Sequence, residues 1–253
     1  MYVTHELLST PPDDTKLWRY LDLSQFLWLL ASRSLYFANV LEFPDKWEGH
    51  LSVATIEGVK RWVRETLSGH SPAPELSENQ QGVIALLTES LKSLQQKYGI
   101  CCWHKNQLES VAMWKLYTQG KDGVAIQTTV RRLKECLSKE SRPIYVASVR
   151  YGHEAIEGAV DEPDPLIPIT TKRRSFEHES EVRLILELVA DFELPRSSTG
   201  TVVGVDLNTL IERIVVSPEY PAWAIPSLQE RISVAGLAVP VETSDLLKLP
   251  EPI

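Results

Sequence analysis

From Lys16 to Leu21, apolar and polar side chains alternate well enough to predict a short strand. Asp22 followed by Gln25 makes a helix-capping pair. Leu23, Phe26, Leu27 and Leu30 then recur at helical spacing, which predicts a helix of about three turns with one apolar face. Ser34 to Ala38 reads as a second strand, so the chain opens as strand, helix, strand with very short links. An irregular loop from Asn39 to Gly49 carries Glu42, Asp45 and Glu48 among Phe43, Pro44 and Trp47. Two helices follow, over 52–68 (Val53, Ile56, Val59, Val63) and over 78–98 (Val83, Leu86, Leu87, Leu91, Leu94). The stretch 68–78, with Gly69, Pro72 and Pro74, separates them as a loop.

Gly99 to Trp103 is apolar throughout and predicts a buried strand, and 109–118 a helix on which Met113, Trp114 and Tyr117 cluster. Strands are expected at 123–128 and 143–151 around a helix at 130–138, and the acidic, proline-rich 152–168 is expected to be exposed loop. The stretch from Phe176 to Leu186 carries the most chemistry: charged residues crowd its first half, and its second half is strand-like. On an extended chain Glu179 and Glu181 project from one face. Two like charges there repel, and burial raises the proton affinity of at least one. Such a pair suits acid/base or cation-stabilising chemistry, although a solvated edge strand has the same spacing. The central strand is expected over 181–189, further strands at 201–206 and 213–217 about a helix at 208–212, a helix opened by Pro221 and running to 236, and a last strand at 238–242. With no repeat, low-complexity tract or linker, the chain reads as a single α+β domain over 1–253. Its sheet is mixed and mostly antiparallel, flanked by helices, with a core at about 16–190 and an extension at about 200–253.

Composition narrows the function classes. A net charge of −8 and a pI near 5.4 argue against broad adhesion to nucleic acid or anionic membrane. Three cysteines, two of them adjacent, form no disulfide framework, and no leader-like segment or membrane span stands out, so a soluble cytoplasmic protein without a membrane partner is expected. Cys101, Cys102 and His104 lack a second ligand pair at zinc spacing, so no metal site is assigned. Neither phosphate-loop fingerprint occurs, and the six histidines form no triad with a nucleophile elbow. Lys172-Arg173-Arg174 could meet phosphate through its forked donors or simply balance the neighbouring acids. Seven tryptophans are many for 253 residues, and one or two could line a slot for a planar ring.

The ordered set of pieces resembles an uncharacterised family of bacterial domains, a domain of unknown function. Its members carry L-Y-K-Y, L-Y-F, F-N-D-P-x-E-G, a cysteine-bearing strand, M-W-x-x-Y, G-V and a late K…E-x-E-x-R. Here these stand as Leu17-Trp18-Arg19-Tyr20, Leu35-Tyr36-Phe37, Phe43 to Gly49, Cys102, Met113 to Tyr117, Gly123-Val124, and Lys172 with Phe176 to Arg183. Pro44 and Lys46 depart from the usual Asn and Pro. The layout in turn looks like the ADP-ribosyltransferase plan of nucleic-acid-modifying toxins. That resemblance implies an ADP-ribosyltransferase-like fold and an NAD-dependent transferase, with NAD as the substrate consumed and nucleic acid or protein as acceptor. A toxin or phage-defence effector would be partnered by an antitoxin or regulatory protein. By the same resemblance Arg19 anchors the NAD ribose and phosphates and Tyr36 cradles nicotinamide. Glu181 stabilises the oxocarbenium-like transition state and Glu179 orients the acceptor, so that Glu181→Ala would stop NAD cleavage with the fold intact. Tyr20, Trp114, Lys172 and Phe176 complete the implied NAD-binding set. The small hydroxyl residue of one branch is absent, since Ala38 and Asn39 follow Phe37. All this requires Arg19, Tyr36 and Glu181 to meet across one hollow, and it fails if Arg19 and Glu181 lie on opposite sides of the sheet or if packed apolar groups bury that hollow. Two other classes compete: a nuclease holding magnesium with Asp45, Glu48, Glu179 and Glu181, and a non-catalytic interaction module in which the acids merely close ion pairs.

Overall fold

The computed structural model describes residues 2–43, 45, 48–49, 53–67, 77–95, 97–118, 122–152, 164–188 and 200–247. Most of the loop expected over 68–78 lies outside them, as do 153–163 and, in the acidic loop motif, Pro44, Lys46 and Trp47.

β1 (Lys16–Asp22), α1 (Leu23–Ser32) and β2 (Ser34–Asn39) form the opening unit. The capping pair closes as expected: the Asp22 carboxylate accepts the Gln25 N–H at 2.8 Å, and the Gln25 side chain accepts the Asp22 N–H at 3.2 Å. α2 (Val53–Leu67) and α3 (Glu78–Gln95) pack on each other through Val59, Val63, Ile84 and Leu91, an apolar cluster separate from the sheet's core. There follow β3 (Tyr98–Lys105), α4 (Val111–Thr118), β4 (Gly123–Thr129) and α5 (Val130–Cys136), the last capped by Thr129. The strand expected over 143–151 is two, β5 (Ile144–Ser148) and β6 (Arg150–Tyr151). A short helix, α6 (Leu166–Ile169), is fully buried where exposed loop was expected, because Leu166, Ile167 and Ile169 outweigh the prolines around them. β7 (Thr171–Lys172), a 3-10 turn at Arg174–Glu179 and β8 (Glu181–Glu187) come next. The chain continues with β9 (Gly200–Gly204), α7 (Leu207–Leu210), β10 (Arg213–Val216), α8 (Ile225–Val234) and β11 (Val241–Thr243). Pro221 heads only a 3-10 turn, and it is Pro226 that sits in the first turn of α8, where a missing N–H costs nothing.

The protein is α+β. Nine strands among the described residues join one sheet in the order β11-β10-β4-β1-β3-β2-β9, with β8 on the other edge of β3 and β5 beyond it. The β10–β11 pairing is parallel and every other pairing in this sheet is antiparallel. The segment after 200 is therefore part of this sheet, with β9 beside β2 and β10 beside β4. One face is a continuous apolar core that includes Leu17, Phe37, Trp103, Ile126, Leu184 and Ile214. No helix among the described residues is long and apolar enough to cross a membrane.

Candidate active site

β3 pairs with β8 along its whole length, from Tyr98↔Glu187 to His104↔Glu181. Its opposite edge is shared. β1 pairs there only at His104 and Lys105, and β2 only at Gly99 and Ile100. Between those ladders β1 and β2 part, and α1 bridges them. The gap opens into a cavity of about 770 Å³ walled by both faces of the sheet, with Arg19, Trp28, Tyr36, His104, Glu179 and Glu181 among its lining. Its volume is that of a site for a nucleotide-sized ligand.

Cross-strand partners share a face, so Trp18, His104 and Glu181 point one way, whereas Arg19 points the other way with Leu17 and Leu21. On that side the Arg19 guanidinium donates to Cys101 Sγ at 2.6 Å and lies 5.7 Å from the centre of the Trp103 ring. Arg19 and Glu181 thus extend from opposite sides of the sheet, which counts against the two acting on one ligand, although residues of both faces, these two included, line the cavity.

Glu179 and Glu181 do not belong to one strand, contrary to the extended reading of 176–186. Glu179 ends the 3-10 turn, Ser180 is left-handed (φ 40°, ψ 55°), and β8 begins at Glu181. Both carboxylates reach the cavity wall from a sharp turn, so the common aim comes from the turn rather than from strand alternation.

Behind that wall lies a buried ionic cluster. The Lys172 ammonium sits 2.5 Å from Glu179, 2.9 Å from Glu48 and 3.5 Å from Glu181. The wholly buried Arg183 guanidinium reaches Glu181 at 2.8 Å, Glu48 at 2.5 Å and the Ile169 carbonyl at 2.6 Å. Burial alone would raise the Glu181 carboxyl's pKa, but Arg183 and Lys172 hold it below its ordinary value. Burial, followed by the charge of Glu181, pushes the Cys102 thiol's pKa well up, so Cys102 is protonated and no nucleophile. Lys172 is pulled up by Glu181, Glu48 and Glu179 against the opposing effect of burial. Among the described residues three carboxylates of this cluster face two cations, and Arg19 is a further cation on the cavity lining.

His104 is also buried, and burial lowers its pKa, so the ring is neutral. Its Nδ1 lies 2.6 Å from the Glu179 carbonyl oxygen, which can only accept, so the proton is on Nδ1. Nε2 then carries a lone pair, and it has no hydrogen-bond partner among the described residues.

The other implied NAD-binding residues divide. Tyr36 borders the cavity, its hydroxyl donating to Glu42 at 2.8 Å. Tyr20 borders it too, with its hydroxyl accepting the Ser110 N–H at 2.8 Å. Trp114 is buried behind Tyr20, ring centres 4.9 Å apart, and its indole N–H donates to Glu109. Lys172 is consumed by the ionic cluster, and Phe176 lies against the Lys172 and Arg173 cations, so neither is on the wall. Arg173 pairs with Asp45 at 3.0 Å, while Arg174 is largely exposed. Sequence reading weighed His104 as a metal ligand and set it aside, and it missed Tyr151 and Trp28. Tyr151 accepts the Glu181 N–H at 2.7 Å, a contact across 30 residues that no local pattern announces. The place of Arg183 was legible, since two residues after Glu181 on a strand means the same face.

No family model matches the chain, and no curated protein matches it. Among solved structures, DarT of Thermus sp. 2.9 in complex with NAD+ is similar at 12% identity and a TM-score of 0.39, over 93% of this chain and 98% of that one. The same DarT in complex with ADP-ribosylated ssDNA gives 12% identity and a TM-score of 0.38, over 93% and 96%.

Proposed function

We propose that the chain is an ADP-ribosyltransferase-like enzyme that cleaves NAD and transfers ADP-ribose to a nucleic acid or protein. One observation carries this reading: a nucleotide-sized cavity has on its wall the Glu181 carboxylate, held ionised by Arg183 and Lys172 behind it. When nicotinamide leaves with the electrons of its glycosidic bond, positive charge develops on the ribose. A carboxylate already fixed and ionised there stabilises that charge without reorganising. The acceptor then bonds to the anomeric carbon and gives up its proton, with Glu179 beside Glu181 to orient it. Tyr36 offers a ring to nicotinamide, and the Arg19 guanidinium a fork to the pyrophosphate.

The competing readings fit less well. Glu48, Glu179 and Glu181 do converge, as a magnesium nuclease would need, but on the Lys172 ammonium, which occupies the position of the ion. Among the described residues no group of three or more His, Cys, Asp or Glu could hold a metal. A non-catalytic module explains the paired acids but not a cavity beside them.

The test is nicotinamide release from NAD, with ssDNA, RNA and protein offered as acceptors. Glu181→Gln is the informative variant, because Glu181→Ala would leave Arg183 short of a partner in a buried site and confound loss of fold with loss of chemistry. Release by Glu181→Gln should fall about 100-fold or more while cooperative melting persists. Turnover retained in that variant discards the mechanism. The toxin or phage-defence role is tested by expression: growth arrest by the wild type and not by Glu181→Gln.

A further inference from the structure

A serine in the left-handed region costs about 1–2 kcal/mol and persists only where its surroundings over-determine it. Ser180 is such a residue, one of two non-glycine positions at positive φ among the described residues. The other, Arg33, ends α1, and Ser180 likewise follows a helical turn, its N–H donating to the Glu177 carbonyl. Ser180 stands between the two carboxylates of the cavity wall.

Each residue of this turn is held from a different part of the chain. The Glu179 carbonyl accepts from His104 Nδ1 at 2.6 Å, the Ser180 carbonyl accepts the Lys105 N–H at 2.8 Å, and the Glu181 N–H donates to the Tyr151 hydroxyl at 2.7 Å. The middle contact is main chain to main chain and independent of residue type. The outer two are made by side chains that the ionic cluster does not use. We propose that His104 and Tyr151 are positioning residues: they pin the Glu179–Ser180–Glu181 turn in its left-handed form and so fix where both carboxylates enter the cavity. The catalytic consequence rests on the reading of Glu181 given above, whereas the pinning itself does not.

Three variants separate this from a general structural role. His104→Ala and Tyr151→Phe each remove one pin. His104→Asn keeps a side-chain N–H where Nδ1–H stood and discards Nε2. For NAD cleavage, kcat should fall about tenfold or more in the first two, with KM for NAD changed less than about threefold, because a displaced carboxylate loses transition-state contact rather than ground-state binding. His104→Asn should recover most of kcat. Wild-type kcat in both His104→Ala and Tyr151→Phe overturns the proposal, and so does a His104→Asn as slow as His104→Ala, which would transfer the role to the lone pair on Nε2. Amide hydrogen exchange decides the pinning without catalysis: in Tyr151→Phe the Glu181 amide should exchange at least about tenfold faster while β4 amides keep their protection. An unchanged Glu181 amide refutes the pin even if NAD is never cleaved. A wild-type chain that leaves NAD intact with a protected Glu181 amide sinks the enzymatic reading alone.

Discussion

The two faces of β8 are buried alike and held together by different physics. Val182, Leu184 and Leu186 sink into the apolar core, and Glu181 and Arg183, interleaved with them, enter the ionic cluster on the other side. Arg183 and Leu184 are both 0% exposed. On the apolar face, stability comes from area removed from water and is shared among many neighbours. On the polar face it depends on each charge keeping its partner, since a lone buried ion costs far more than a paired one. Adjacent positions on one strand therefore allow a direct comparison of a packing surface with a chemical one.

The largest expected effect strikes both faces equally in size and differently in kind. Arg183→Ala leaves Glu181 and Glu48 to share Lys172 with Glu179 in a buried site and should cost about 3–5 kcal/mol. Leu184→Ala should cost about 2–5 kcal/mol through lost transfer energy and a cavity. Acid separates them. The Glu181 carboxyl is held below its ordinary 4.5 in the fold, so its contribution is complete above that pH and is lost as pH falls further. Denaturant melts at pH 7 and 3.5 should show the Arg183→Ala penalty shrinking and the Leu184→Ala penalty holding. Two penalties that move together would mean that the faces do not differ as claimed.

A smaller effect is expected on the cavity's far wall, where no charge is touched. A Cβ on Gly200 would stand 2.6 Å from the Tyr36 hydroxyl and 2.4 Å from the Phe37 carbonyl oxygen, so Gly200→Ala must push Tyr36 and strain the β2–β9 pairing. Overpacking of this kind costs about 1–3 kcal/mol. KM for NAD should rise several-fold with kcat nearly kept, the reverse of the split expected for the pinned turn. A kcat loss with KM unchanged would remove Tyr36 from the binding wall.

The apolar face was legible in the sequence because its signal is periodic: the alternation of β1 and β8, the helical spacing of α1 and its capping pair are local patterns. The acids of the polar face were legible as an E-x-E, but their geometry was not. Alternation assumed an extended chain, and the 3-10 turn and left-handed Ser180 break that assumption at the position between them. Arg19 was identified as a cavity residue, yet the face it uses depends on the parting of β1 and β2 along β3, a property of three strands at once. Glu48 reaches Lys172 and Arg183, and Tyr151 reaches Glu181, across long stretches of chain, and their convergence is written in the topology.

The smallest expected effect comes from an ion pair that keeps contact with water. Glu140 and Arg142 form a two-pronged pair, Nε to Oε1 and Nη2 to Oε2 both at 2.9 Å, close to the 2.8 Å of the Arg183 Nη2 contact to Glu181. Their partner hydrogen bonds hold the Glu140 carboxyl down at about 2, so the pair contributes above pH 4.5 and loses that contribution as pH falls towards 2. Both side chains keep contact with water, however, at 13% and 23% exposure. Arg142→Ala should therefore cost less than about 1 kcal/mol, several-fold less than Arg183→Ala, and return the Glu140 carboxyl towards 4.5 in an NMR titration. Equal penalties for the two arginines would mean that neither exclusion from water nor the additional partners of Arg183 set the strength of the polar face, and the hold of Glu181 on a developing cation would then be no stronger than that of a surface carboxylate.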